Sequence, residues 1–394
     1  MEIFSERLVF LKITGIICEY NPLHLGHKKQ LTRIRSLCGE DSGIVCLMSG
    51  NFVQRGAPAI LDKTLRAKAA VLCGADLVLE LPVTAALSSA EGFASSGISI
   101  LSAFCDTLCF GAETADKTAL LSTAETLLQP AFSSALRAEL DRGISFPAAR
   151  QSALRTLGIN STLLTQPNNI LAVEYCKAIL SQGNNLEILP ILRQGSYHDT
   201  EADRSNPSAT ALRRLMQNGD WRAFVPEEAV SCFENATLHT LAAGERAILG
   251  KLRCMTDGEF EALPYGSEGL WRKLMHECRR QATLEDILTA VKSKRYTRTR
   301  LDRMVMCAFL GITESVLTEK PPYVRVLALN DRGREILKKA RITGHFPNIG
   351  EHQDDPWQTL ENRCGDLYGL FAEHTPDPAG TEAGKRLFYC QSNL

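Results

Sequence analysis

The chain of 394 residues has no C-x-x-C pair, no Gly-x-x-x-x-Gly-Lys-Ser/Thr loop, no Gly-x-Ser-x-Gly elbow and almost no net charge (−1). The absent cysteine pair matters because there are 13 cysteines. Their scatter through apolar contexts lacks the paired ligand spacing of structural zinc sites, so no metal ligands are assigned. An odd count of that kind suits reduced thiols in a cytoplasmic protein. The missing phosphate loop argues against a P-loop kinase, and the missing elbow against a serine hydrolase. No segment approaches the roughly 18 uninterrupted apolar residues of a membrane helix, so no membrane partner is expected. The opening MEIFSERLVFLKITGIICEY places Glu2 and Glu6 before its apolar run and offers no small-residue cleavage site, so no secretory leader is expected.

Against these absences stands a marked asymmetry of charge. Residues 272–341 carry 17 Lys and Arg against 8 acids, a balance of +9, while the rest carries 27 against 37, a balance of −10. Such a basic stretch suits a polyanion, or else forms a solvated face rich in ion pairs. Within it, KSKRYTRTRLDR (292–303) sets Arg295, Arg298 and Arg300 around Tyr296, a pattern that joins phosphate contacts to a stacking surface.

The first half alternates two periods. Ile13–Glu19, Ile44–Met48, Asp76–Leu81, Asp106–Gly111 and Leu186–Leu192 read as buried strands, with helices over Leu61–Cys73 and Ser88–Phe104 and from near His27. Strands separated by helices and bounded by Gly or Pro predict an α/β fold, a parallel sheet covered on both faces. After about Asn218, helical periods dominate (Val225–Arg253, Ser267–Leu288, Leu301–Leu310), and Val324–Leu329 is the one late strand expected. The expected division is 1–220, α/β, and 221–394, mainly helical and basic.

The junction after the first strand, GIICEYNPLHLGHKKQL (Gly15–Leu31), carries the strongest chemical signal. His24 and His27, with Gly26 between them, sit where a buried strand turns into a helix, so both imidazoles and the helix N-terminus can face one phosphate. Imidazole donors suit charge that builds on an α-phosphate during displacement. This H-x-G-H arrangement resembles the signature of nucleotidyltransferase-type adenylate-forming enzymes. Asn206–Arg213 (NPSATALR) resembles the motif that closes the ATP site in such folds. Ser208 and Thr210 supply hydroxyls there, and Arg213 supplies a clamp for pyrophosphate. As a plain alternative, Ser208 simply caps a helix.

In order along the chain, EYNPLHLGH, MSGNFVQRGAPAILDK, GADLVLELP, SAEGFASSG, LCFGAE, PNNILAVEY and SYHD resemble the bacterial tRNA(Met) cytidine acetate ligase family. The resemblance covers roughly 15–213 and is less specific beyond. It implies a nucleotidyltransferase-like, Rossmann-like domain followed by a mainly helical one. It also implies activation of acetate by ATP, with a magnesium ion, to acetyl-adenylate, then transfer to the wobble cytidine of elongator tRNA(Met), forming N4-acetylcytidine. By the same resemblance, Ile17, Asn21, Pro22, His24, Gly26, His27, Gln30, Gly111, Asn168 and Arg193 line the nucleotide site, with Gly111 approaching the nucleotide itself. His24, His27 and Arg213 are the expected catalytic groups. Leu23 and Leu25 depart from the family pattern, where an aromatic and a polar residue are expected.

Asn51, Gln54, Arg55 and Lys63 fall in a loop and helix start after the second strand, bordering the crevice of a parallel sheet. Arg55 and Lys63 are the candidates there for acetate, pyrophosphate or tRNA, or are merely a solvated surface. His198 in SYHD is either a third imidazole of the site or a structural partner of Asp199. Two other functions stay open at this stage. One is an adenylyltransferase acting on a small phosphorylated metabolite, and the other is a non-catalytic RNA-binding protein with a degenerate nucleotide fold.

Overall fold

The structure is a computed structural model that describes residues 12–193, 207–320, 323–341, 346–351, 355–374 and 378–391. Among the described residues there are nine strands: β1 (Ile13–Cys18), β2 (Gly43–Ser49), β3 (Phe52–Val53), β4 (Ala57–Pro58), β5 (Leu77–Leu81), β6 (Thr107–Ala112), β7 (Glu187–Leu192), β8 (Val326–Asn330) and β9 (Phe388–Cys390). Seven form one sheet in the order β7-β6-β1-β2-β5-β8-β9. The pairs from β7 through β5 are parallel, β8 runs antiparallel to β5, and β9 is parallel to β8.

The sequence of β2 shows why the sheet is covered twice. Every residue of GIVCLMS is buried. Val45 and Leu47 join the core under the Ala90–Leu101 and Pro167–Gln182 helices, while Ile44, Cys46 and Met48 join the core under Leu25–Cys38 and Lys63–Leu72. A strand alternates its side chains with period two, so two apolar faces require two layers of helix. The chain runs outward from β1 to β2 and β5, then crosses back so that β6 and β7 add on the other side of β1. That reversal opens a crevice at the carboxyl end of β1.

The helical expectations of the second half divide further. Val225–Arg253 breaks into Glu227–Phe233 and Leu241–Cys254, with Asn235 at φ 58 between them. Ser267–Leu288 breaks into Leu270–Cys278 and Leu284–Val291, each start set by a new cap, Gly269 in the left-handed region and Thr283. Leu241–Cys254, Leu270–Cys278, Leu284–Val291 and Arg298–Leu310 enclose a separate core that also takes in Phe52, Val83 and Leu87 from the first half, whereas Glu227–Phe233 packs into the core under Leu25–Cys38 and Lys63–Leu72. The late strand expected at Val324–Leu329 is β8, which joins the sheet of the first half. The three-residue β9 lies beside it, too short to have shown a period in the sequence. All 13 cysteines are free thiols, nine of them buried. Among the described residues, no helix is long and apolar enough to cross a membrane.

Candidate active site

β1 delivers the H-x-G-H turn to the crevice. Tyr20 turns the chain with φ 44, and the Asn21–Pro22 peptide is cis. The helix Leu25–Cys38 then begins with His24 as its N-cap. His24 Nδ1 accepts from the Gly26 N–H at 3.1 Å, and His27 Nδ1 accepts from the His24 N–H at 3.3 Å. The two histidines thus close a reciprocal cap of the kind usually built from Ser/Thr and Glu. Their rings stack with centroids 3.7 Å apart. Gly26 keeps this arrangement open, because a Cβ there would lie 3.0 Å from His24 Cε1.

Both imidazoles are neutral at neutral pH. Burial, then the Arg193 and Arg213 guanidiniums, lower His24 to about 3. Burial, His24 and Arg193 hold His27 well below its ordinary value. Since each Nδ1 accepts a backbone N–H, the single proton of each neutral ring sits on Nε2, leaving two N–H donors for an anion's oxygens.

The expected partners gather around this turn. Arg213 Nη1 donates to the Asn21 carbonyl at 2.8 Å, and its Nη2 to Thr210 Oγ1 at 3.1 Å. Asn21 Oδ1 accepts from the Ile60 N–H at 2.8 Å, which braces the loop from the other side. Ser208 caps the helix Ala209–Asn218, accepting from Ala211 N–H at 3.1 Å. Gln30 Nε2 lies 3.7 Å from Cys109 Sγ on β6. Ile17 packs against Gly97, where any side chain would run into it, and Pro22 is buried.

At the ends of β6 and β7, Arg193 Nη1 donates to Asn168 Oδ1 at 3.0 Å. Glu113 Oε1 accepts from Asn168 Nδ2 at 2.6 Å, and its Oε2 from the Asn169 N–H at 2.8 Å. Gly111 faces the stem of Arg193, whose Cγ would stand 3.0 Å from an added Cβ. Its lack of a side chain therefore makes room for an arginine of the site.

Other candidates lie elsewhere. Lys63 is 2% exposed. Its Nζ is 2.8 Å from Glu80 Oε1 and also pairs with Glu382. Arg325 Nη2 meets the same two carboxylates at 2.7 and 3.2 Å. Lys63 therefore belongs to a buried ion cluster with Glu80, Glu382 and Arg325 rather than to an exposed surface. Its position in the sequence, at a helix start, gave no sign of that burial. Arg55 is exposed on the turn between β3 and β4. Arg295 pairs with Glu268 at 2.5 Å, and Arg298 grips Glu285 at 2.7 and 2.8 Å while also meeting Asp302. Arg300 donates to the Tyr265 carbonyl at 2.8 Å and stacks over Tyr296. These three cations are thus held by intramolecular partners. His198 and the SYHD segment lie outside the described residues.

Two carboxylates of the crevice escaped the sequence reading, Glu113 and Glu19. The signal for Glu19 was available: an acid immediately after a fully apolar strand, just before the H-x-G-H turn. Its Oε1 accepts from the Gln54 N–H at 2.8 Å.

A parallel sheet with a crevice at its switch point, and paired imidazoles at a helix N-terminus beside two guanidiniums, define the class of the protein. The family model for HIGH Nucleotidyl Transferase matches residues 11–381, and the chain belongs to that family. Within it, the chain belongs to the tRNA(Met) cytidine acetate ligases. The protein of that name from Clostridium novyi is 37% identical over 358 residues, covering 86% of this chain and 89% of its own. A crystal structure of Thermotoga maritima TmcAL in its apo form superposes with a TM-score of 0.87 at 29% identity, over 97% of this chain and all of its own. The same protein bound with alpha-thio ATP gives 0.83 at 29% identity, over 96% of this chain and all of its own.

Proposed function

We propose that this chain joins acetate to ATP, releasing pyrophosphate and forming acetyl-adenylate, and then passes the acetyl group to the exocyclic amine of the wobble cytidine of elongator tRNA(Met). The observation that carries the reading is the pair of neutral, stacked imidazoles whose Nε2–H donors stand beside Arg193 and Arg213. In the first step a carboxylate oxygen attacks the α-phosphorus and charge grows on the α-phosphoryl oxygens. Neutral N–H donors fixed by their own backbone bonds meet that charge without reorganising. Arg193 and Arg213 would hold the departing pyrophosphate, a role suited to a planar fork of donors.

A magnesium ion fits the chemistry as a companion of the triphosphate, screening its charge. Among the described residues, no group of three or more His, Cys, Asp or Glu is placed to hold an ion. Phosphate oxygens and water would supply most of its ligands. In this reading residues 1–220 serve ATP and acetate, and 221–394 serve the tRNA. The pair made by Arg295 is exposed, and such a pair exchanges for a phosphate at little cost.

The test is ATP–pyrophosphate exchange with and without acetate, in wild type and His27→Ala. Exchange that needs acetate and disappears in the variant is expected. Exchange indifferent to acetate, or absent with acetate and tRNA both supplied, would overturn the reading.

A further inference from the structure

Acetyl transfer poses a problem that the two histidines do not solve. The exocyclic amine of cytidine is neutral, with its lone pair drawn into the ring, so it must lose a proton as its bond to the acetyl carbon forms. Neither His24 nor His27 is free to accept that proton. Each Nδ1 already takes a backbone N–H, and each Nε2 carries the ring's own hydrogen.

Glu19 has the properties those rings lack. It directly follows β1, so the strand carries it to the carboxyl edge of the sheet where the H-x-G-H turn begins. Arg213 stands within electrostatic reach of both Glu19 and His24, which sets the carboxylate and that imidazole around one guanidinium. One oxygen, Oε1, is pinned by the Gln54 N–H, and among the described residues Oε2 accepts no hydrogen bond. Burial raises the carboxyl, while the Gln54 bond and the charges of Arg213, Arg66 and Arg55 draw it down by less. Tyr175 and Cys18 are the other titratable groups near it. The loop that pins Glu19 also touches the basic half, since the Gln54 carbonyl accepts from Arg303 Nη1 at 3.4 Å. At Gly56, with φ +75, any side chain would run into the backbone of Asp302 and Arg303.

We propose that Glu19, through Oε2, is the base that takes the proton from the cytidine amine during acetyl transfer, an inference that rests on the function proposed above. The amine nitrogen attacks the carbonyl carbon of acetyl-adenylate and a C–N bond forms. The bond from that carbon to the phosphate oxygen breaks, AMP leaves with its electron pair, and one amine proton passes to the Glu19 carboxylate. Burial, by raising the carboxyl, makes it a stronger base for that step.

The experiment compares partial reactions in Glu19→Gln. Acetate-dependent ATP–pyrophosphate exchange reports the first step, and acetylation of tRNA reports both. Transfer to tRNA is expected to fall by about 10²–10⁴ beyond any change in exchange. Trapping of the acetyl group by hydroxylamine, a stronger nucleophile, should persist. Equal losses in exchange and transfer would assign Glu19 to nucleotide binding and overturn the proposal, as would undiminished transfer. If the variant does not fold, the wild type decides: single-turnover transfer should rise with pH through one ionisation that exchange does not show, and a flat profile overturns the base. Absence of acetate-dependent exchange in the wild type would instead strike the acetate reading itself, before Glu19 is at issue.

Discussion

Arg213 and Asn21, 192 residues apart in the chain, meet at 2.8 Å between a guanidinium nitrogen and a backbone carbonyl. That bond fastens the helix Ala209–Asn218 to the turn that carries the imidazoles, and Thr210 holds the other arm of the fork. Removing the guanidinium should therefore loosen the turn as well as remove the proposed clamp on pyrophosphate. Arg213→Ala is expected to lower the exchange rate by about 10²–10³, the scale of losing one preorganised donor. Arg213→Lys should recover little of it, because one ammonium cannot span both partners. Steady-state exchange kinetics check both.

The buried imidazoles tie stability to acid. His24 has an ordinary value of 6.5 and a folded value of about 3, so between those limits the unfolded chain binds the extra proton. Its contribution is fully present above about 6.5 and is lost as the pH falls toward 3. Denaturant midpoints measured from pH 7 to pH 4 should decline less steeply in His24→Gln than in wild type.

Glu361 has the opposite sign. Burial and the nearby Glu80 raise it from 4.5 to about 7, while its Oε1 accepts from the Val83 N–H at 2.8 Å. Its contribution is present below about 4.5 and is lost as the pH rises through about 7. A glutamine there keeps an acceptor and removes the titration. The stability of Glu361→Gln relative to wild type is expected to improve steadily from pH 5 to pH 8 in thermal melts.

Lys63 separates a structural from a ligand role. Lys63→Ala would leave Glu80 and Glu382 short of a buried cation, a change that costs about 3–5 kcal/mol. Urea titration should show that loss directly. A fully stable variant with weakened tRNA binding would return Lys63 to the ligands.

The basic region is tested by salt. If Arg295 exchanges Glu268 for a phosphate, Arg295→Ala should reduce the slope of log affinity against log salt by about one for tRNA. Filter binding over a series of salt concentrations gives the slope.

Much of this molecule was legible before any coordinates. Alternation of buried, β-branched strands with helices is a local property, and so are the glycine and cap that turn β1 into a helix. The family's strings along 15–213 pointed to the imidazoles, Asn168, Arg193 and Arg213 as candidates for one site. What the strings left out depended on contacts between distant segments. Lys63 reads as a surface cation until Glu80 and Glu382 are seen to bury it. Arg295, Arg298 and Arg300 read equally as phosphate contacts or as ion-paired surface until the fold brings Glu268, Glu285 and the Tyr265 carbonyl to them. Glu113 gains its place only by gripping Asn168 and Asn169 some 55 residues on. Sequence by itself determined the strands of the first sheet and the chemistry of the turn, because both follow from neighbours along the chain. Only the tertiary structure decided the protonation of the imidazoles, the exposure of each cation and the return of β8 to the first sheet, because burial and charge pairing are set by residues far apart in sequence.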